Sequence, residues 1–221
     1  MSERKINFAP GEYFHIYNRG SDKRKIFNDN RDYHYFLKIL YLANSEKSFV
    51  LRDLRQDIYS VDRGKNLVSI GAYCAMPNHF HMLITPLEEK GLSKFMLKFT
   101  TALSMYHNTK YSRSGSLFEG KFKAEHANDD RYLKYLFSYI HLNPIKLIEP
   151  DWEKTGIKDL DKVKNYLKKY YFSSYSDYLG DQRPENKIIN TDGFPDYFPT
   201  RDSFEHEILD WNTLPPEAIP L

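Results

Sequence analysis

The sequence predicts an α+β fold: a ferredoxin-like or RRM-like antiparallel sheet with helices packed on one face. Two observations carry this expectation. Apolar residues switch along the chain between the alternating pattern of strands and the three-to-four spacing of helices, in the order strand, helix, strands, helix, strand, helix. In addition, Pro77-Asn78-His79-Phe80-His81-Met82-Leu83-Ile84 sets two histidines two residues apart inside an apolar run. On an extended strand His79 and His81 share one face, while Phe80 and Met82 point to the other, into a core.

Each element has its own local reason. Tyr13-Phe14-His15-Ile16-Tyr17 reads as the first strand, ended by Asn18-Arg19-Gly20-Ser21. Asn30 or Asp32 can cap the next helix, whose apolar positions Tyr35, Phe36, Ile39, Leu40 and Ala43 recur at helical spacing. Residues 45–66 are polar, with a short strand-like patch at Asp57–Val61. Leu67–Met76 and His79–Thr85 read as two strands joined by Pro77-Asn78 turn chemistry. Gly91 to about Tyr111 is a helix with a stripe of Leu92, Phe95, Met96, Phe99, Leu103 and Tyr106. Phe118–His126 reads as a fourth strand. Asn128-Asp129-Asp130 then caps a helix through Tyr132, Leu133, Leu136, Phe137 and Ile140, stopping near Asn143-Pro144. Asp161–Tyr171 is a further amphipathic segment.

Length and composition bound the class. The chain has 221 residues, 41% hydrophobic and 28% charged, which suits one folded domain plus an extension. No apolar run is long enough to cross a bilayer, and no apolar stretch follows Met1-Ser2-Glu3-Arg4-Lys5, so a cytoplasmic protein is expected. The single cysteine, Cys74, lies in an apolar stretch and reads as a small buried hydrophobe. The net charge of +2 conceals a division: residues 1–180 carry +8 and residues 181–221 carry −6. Six of the 11 prolines also fall after Gly180. The expected organisation is therefore a basic domain over 1–180 and an acidic, proline-rich extension over 181–221. A basic body suits a phosphate backbone, and the 18 tyrosines suit stacking on bases, although both are equally features of an ordinary surface and core.

The chemistry begins with Tyr139 and Asn143, four apart and so on one helix face, with Tyr132 and Tyr135 on the same side. Two imidazoles and the Asn143 carbonyl oxygen would form a three-ligand, open-sided metal site of the kind a Lewis acid needs. A tyrosine beside such a metal is a candidate nucleophile, because its phenol needs help to ionise at neutral pH. On residues alone, His79 and His81 could equally be half-exposed surface histidines, and Tyr139 a core or surface tyrosine.

Five motifs occur in order: Tyr13–Gly20, Ala75–Ile84, Gly115–Lys123, Tyr139-Ile140-His141-Leu142-Asn143-Pro144 and Ser173-Ser174-Tyr175. Over roughly residues 12–180 the chain resembles the single-tyrosine HUH transposases of small bacterial insertion sequences, most of all their REP-associated branch. Asparagine at 143, where better-known members have glutamine, favours that branch.

The resemblance implies cleavage and rejoining of single-stranded or hairpin DNA by a monomer or homodimer. Tyr139 would be the nucleophile, forming a 5′-phosphotyrosine. His79, His81 and Asn143 would hold a divalent metal, Mg²⁺ or Mn²⁺. Backbone contacts are expected from Lys94, Lys98, Lys110, Arg113, Lys121 and Lys123, and from a second patch of Arg19, Lys23, Arg24 and Lys25. His15, His126 and His141 could touch the site, with structural roles as the simpler reading. Two other readings stand beside the enzyme: a domesticated hairpin DNA- or RNA-binding protein that does not cut, and an unrelated metal phosphodiesterase using water.

Overall fold

Four antiparallel strands, β1 (Tyr13–Arg19), β2 (Val68–Met76), β3 (His79–Pro86) and β4 (Lys123–Ala127), lie in the order β2-β3-β1-β4. With α1 (Asn30–Ala43) between β1 and β2 and α2 (Gly91–Lys110) between β3 and β4, the chain follows the βαββαβ path of a ferredoxin-like fold. The computed structural model describes residues 7–54 and 56–210. Residues Met1–Lys5 and the last part of the expected extension, 211–221 with Pro215, Pro216 and Pro220, lie outside the described residues.

Strand alternation builds the first core. Phe14, Ile16, Phe80, Met82 and Ile84 point to one face and meet Phe36 and Leu40 of α1 and Phe95 and Phe99 of α2. Asp29, not Asn30 or Asp32, caps α1. The Asp29 side chain accepts from the N–H groups of Arg31 and Asp32, and Asp32 closes the capping box. At the other end of α1, Asn44 is buried and replaces a strand partner. Its Nδ2 donates to Val68 O at 2.9 Å, and its Oδ1 accepts from Leu67 N at 2.9 Å and Val68 N at 3.0 Å.

The expected strand at Asp57–Val61 is instead a 3₁₀ turn at Ile58–Ser60. Tyr41 explains it: its hydroxyl is within hydrogen-bond distance of both Tyr59 O (3.2 Å) and Val61 O (3.1 Å), so these carbonyls turn inward and have no ladder to join.

The second face is covered as well, so helices flank the sheet on both sides. α3 (Asp130–Leu142) lays Leu133, Leu136, Phe137 and Ile140 over Ala72, Cys74, Met76 and Leu83. The Asp129 side chain caps α3 by accepting from Tyr132 N at 2.8 Å. After the 3₁₀ turn Asn143–Leu147 come three more helices, α4 (Trp152–Thr155), α5 (Leu160–Lys169) and α6 (Tyr175–Tyr178). Cys74 is fully buried and burial pushes its thiol pKa up, as an inert core residue requires.

A bulge at Gly71 sets this two-sided pattern. Ile70 pairs with Ile84 and Ala72 with Leu83, so β2 carries one extra residue and its alternation changes phase. A Cβ at Gly71 would stand 2.8 Å from the Phe194 ring. That close approach lets residues 181–210 cross the sheet and end in α7 (Arg201–Asp210), whose Phe204 and Ile208 are buried in the second core. Arg183 fastens the crossing. It pairs with Asp177 at 2.6 Å, their side chains only 7% and 1% exposed, and donates to Ser173 O at 2.7 Å and to the Tyr73 hydroxyl at 2.9 Å.

Candidate active site

On the second face of the sheet, beside α3, a cleft opens next to β1 and β3. Here alternation brings His15 and Tyr17 of β1 beside His79 and His81 of β3. The strand register pairs Tyr17 with His81 and Arg19 with His79 across β1 and β3, and His15 with Glu125 across β1 and β4. Phe80 faces the helical core, so the histidines are anchored by the residue between them.

The imidazoles form a chain. His79 Nδ1 is 2.7 Å from Asn78 Oδ1, and the His79 and His81 rings are 5.0 Å apart and nearly perpendicular. His81 Nδ1 lies 2.9 Å from His15 Nε2, and the two rings stack at 5.0 Å. His15 Nδ1 faces Glu125 Oε2 at 3.7 Å, an electrostatic contact too long for a hydrogen bond. Glu125 also accepts from the hydroxyls of Tyr17 at 2.7 Å and Tyr132 at 3.2 Å. The contact with His15, and these hydroxyls against the opposing effect of burial, hold the Glu125 pKa at about 2, so it stays ionised. Burial lowers the His79 pKa to about 4. It also drives His81 well below the ordinary imidazole range, helped by the positive charge that His15, His79 and Lys146 would oppose to it. At neutral pH both imidazoles are uncharged, the form in which histidine ligates metals.

α3 delivers Tyr139 to this cleft. Its ring stands edge-on to His81, with centroids 5.3 Å apart, and to His15 at 5.5 Å. Tyr135 lies 5.9 Å behind it and Tyr132 stacks on Tyr135, so the tyrosines at 132, 135 and 139 form one flank of the helix. Burial raises the Tyr139 phenol pKa. Lys146 opposes that rise, its ammonium 5.7 Å from the ring centroid. Pro144 ends the α-helix, and the 3₁₀ turn that follows brings Lys146 back toward Tyr139.

Asn143 joins the two halves. Its side chain, 1% exposed as a residue, donates from Nδ2 to Tyr139 O at 2.8 Å. This fixes which end of the amide is occupied and leaves Oδ1 buried without a hydrogen-bond partner. The amide is also within electrostatic reach of the His79 ring and the Tyr139 hydroxyl. Among the described residues no group of three His, Cys, Asp or Glu side chains is arranged to hold a metal. Two neutral imidazoles beside an orphaned amide oxygen do suit a divalent cation, because each supplies a lone pair and none needs to lose a proton.

The cleft encloses about 480 Å³ and is lined by Tyr17, Asn18, Arg19, Asn78, His79, His81, Glu119, Gly120, Lys121 and Lys123. A larger groove of about 770 Å³ lies between α2 and residues 116–122, and shares Asn18, Gly120 and Lys121 with it. The larger groove carries no titratable side chain except Lys121, so the chemistry belongs to the smaller one.

The ten expected phosphate-contacting cations separate by position. Arg19, Lys121 and Lys123 line the cleft. Arg19 also grips Glu119 through two hydrogen bonds, at 2.9 and 3.1 Å. Lys23 lies beside it on an adjoining surface with Ser21, Asp22 and Glu119. Lys25 and Arg113 are exposed. Arg24 donates to Ser21 O and Asp22.

Lys94, Lys98 and Lys110 do not belong to the cleft, because α2 packs on the opposite face of the sheet. Lys94 pairs with Glu88 at 2.7 Å. Lys98 donates to the carbonyls of Ser45 and Lys47. Lys110, its side chain 19% exposed, is clamped between Asp29 and Asp32. His126 pairs with Glu12 on the surface, and His141 is buried against Ser174 Oγ at 2.7 Å, so neither reaches the site.

The family model for IS200-like transposases matches residues 11–143, a span that contains His79, His81, Tyr139 and Asn143. The chain belongs to the IS200-like transposase family. Among solved structures, a REP-associated tyrosine transposase bound to a REP hairpin is similar at 15% identity, covering 84% of this chain and 90% of that one with a TM-score of 0.48. No curated protein matches the chain. The residues that line the cleft fall within the βαββαβ path, and no helix among the described residues is long and apolar enough to cross a membrane.

Tyr17 lines the cleft, His15 and Lys146 touch His81 and Tyr139 from beside it, and Glu125 faces His15; none was singled out by the sequence as a site residue, apart from His15 as a possible neighbour. Lys146 had a signal: it lies seven residues, two helical turns, after Tyr139.

Proposed function

We propose that this family member cleaves and rejoins single-stranded, hairpin-containing DNA through a covalent 5′-phosphotyrosine on Tyr139. The observation that carries the proposal is the convergence of Tyr139 on His81, ring centroids 5.3 Å apart within one chain, next to the unpaired Asn143 oxygen. A hairpin substrate, and a place in the REP-associated branch, are what the resemblance carried by the ordered motifs and by asparagine at 143 implies.

His79, His81 and Asn143 are the residues that would hold a divalent cation, Mg²⁺ or Mn²⁺. Bound there, such an ion supplies Lewis-acid polarisation of a phosphate oxygen. The chain's own residues perform the rest. Arg19, Lys121 and Lys123 hold the strand by its phosphates along the cleft. The tyrosine flank offers faces on which unpaired bases stack.

Lys146 favours the ionised form of Tyr139. The Tyr139 oxygen attacks phosphorus, a P–Oη bond forms, and the P–O3′ bond breaks with its electron pair passing to the 3′ oxygen, which takes up a proton. A 3′-hydroxyl attacking the phosphotyrosine reverses each change, so rejoining needs no external energy source.

The test is a covalent adduct. Incubated with a labelled single-stranded hairpin oligonucleotide and Mn²⁺, the wild-type protein is expected to give a complex that survives denaturation, and Tyr139→Phe none. Cleavage that persists in Tyr139→Phe would show that water is the nucleophile. Binding without any cleavage by the wild type would show a hairpin-binding protein.

A further inference from the structure

One proton lies between His81 Nδ1 and His15 Nε2, because two imidazole nitrogens 2.9 Å apart need one donor and one acceptor. Both residues are buried, at 6% and 4% exposure, so water does not supply the alternative. Only two neutral arrangements exist. In the first, His81 carries its proton on Nδ1 and donates to His15 Nε2. His81 Nε2 then keeps its lone pair, and His15 carries its own proton on Nδ1. In the second, His15 donates from Nε2 to His81 Nδ1. The His81 proton is then on Nε2, where it blocks that nitrogen as a ligand.

The far end of the chain decides between them. His15 Nδ1 is buried and has no hydrogen-bond partner, and the nearest charge is Glu125 Oε2 at 3.7 Å. In the first arrangement an N–H faces this carboxylate. In the second a lone pair faces it, and two acceptors oppose each other. The hydroxyls of Tyr17, donating to Oε1, and of Tyr132, donating to Oε2, hold Glu125 in place.

We infer that Glu125, acting through His15, selects the tautomer of His81 that presents its Nε2 lone pair to a cation. His15 and Glu125 are thus positioning residues, one and two steps from His81, for the reading in which His81 is a ligand. The general pattern is a metal-binding imidazole fixed by an acceptor on its other nitrogen. Here the acceptor is itself a histidine whose tautomer must be set in turn. No proton is gained or lost overall.

The experiment uses the full chain, ¹⁵N-labelled on histidine and free of metal, in long-range proton–nitrogen correlation spectra that report which ring nitrogen carries hydrogen. The wild type is expected to show His81 protonated on Nδ1. In Glu125→Gln the new amide N–H₂ can donate to His15 Nδ1, so the spectrum is expected to shift toward His81 protonated on Nε2. Mn²⁺ affinity, read from the free-ion electron paramagnetic resonance signal, should fall by roughly ten- to a hundredfold.

His15→Gln supplies an amide oxygen that can accept from His81 Nδ1–H. It should keep the wild-type tautomer, and Glu125→Gln added to it should then have little effect. The inference is overturned by a wild-type His81 protonated on Nε2, by a Glu125→Gln spectrum unchanged at His81, or by a Glu125→Gln effect that survives in the His15→Gln background. A wild type with the Nδ1 tautomer that binds no Mn²⁺ would overturn the metal reading and uphold the relay.

Discussion

Tyr139 and His81 meet at right angles: the phenol ring of α3 stands at 85° to the imidazole of β3, with centroids 5.3 Å apart. Neither residue is held by the other. His81 is fixed by His15 through the sheet, and Tyr139 by the packing of α3 on β2 and β3. The contact thus reports the docking of a helix on a sheet, and the cleft depends on that docking being rigid.

Lys146 should tune the nucleophile. It favours the Tyr139 phenolate and is itself paired with Glu153 at 2.9 Å. Lys146→Met is expected to move the alkaline limb of the pH–rate profile for adduct formation upward and to slow the reaction about tenfold at neutral pH, the effect of roughly one pKa unit. Glu153→Gln should move the limb the other way. Single-turnover adduct formation across pH 6–10 reads both.

Salt dependence should separate the lysines by face. Lys121 and Lys123 line the cleft, whereas Lys94 is paired with Glu88 on the far helix layer. Replacing Lys121 and Lys123 with alanine is expected to reduce the slope of log affinity against log salt by about 0.7 for each lost contact with single-stranded DNA. Lys94→Ala should leave the slope unchanged. Fluorescence anisotropy titrations from low to moderate salt make the comparison.

Arg183→Ala should destabilise the fold by about 3–5 kcal/mol, because it leaves Asp177 buried without its partner. Replacing Arg183 and Asp177 together by apolar residues of similar volume should cost much less. Urea denaturation of the single and double variants checks this.

Acid should weaken the fold through its buried histidines. Burial lowers the His141 pKa to about 3 and the His79 pKa to about 4, from an ordinary value near 6.5. Between about pH 6.5 and the lowered values the unfolded chain binds more protons than the folded one. Stability therefore falls as pH drops through this window, by up to about 1.4 kcal/mol per pH unit for each histidine, and the loss levels off once the folded form also takes up the proton. His141→Gln, which can keep a bond to Ser174, should flatten the fall. Denaturant midpoints measured from pH 7 to pH 4 are the readout.

Much of this was legible from local pattern. The alternation through Phe80 and Met82 places both histidines on one face, and the spacing of Tyr139 and Asn143 puts them on one side of a helix. Other features depend on long-range pairing that periodicity does not encode. His15 meets His81 and Glu125 only because β1 lies between β3 and β4. Lys110 reads as part of a basic run until α1 brings Asp29 and Asp32 against it. The Asp57–Val61 patch has the residues of a strand, but the Tyr41 hydroxyl takes its carbonyls. The helices on the second face escape a reading by alternation because the Gly71 bulge changes the phase midway along β2.

The segment fastened by Arg183 has a bearing on selectivity as well as on folding. Glu205 and Glu207 of α7 neutralise Lys168 of α5 and Lys134 of α3, at 2.9 and 2.7 Å. A fragment ending at Gly180 would bare those two lysines together with the apolar bed of Phe204 and Ile208. It would offer polyanions a second landing place away from the cleft, so its grip on nucleic acid would become tighter and less discriminating at once.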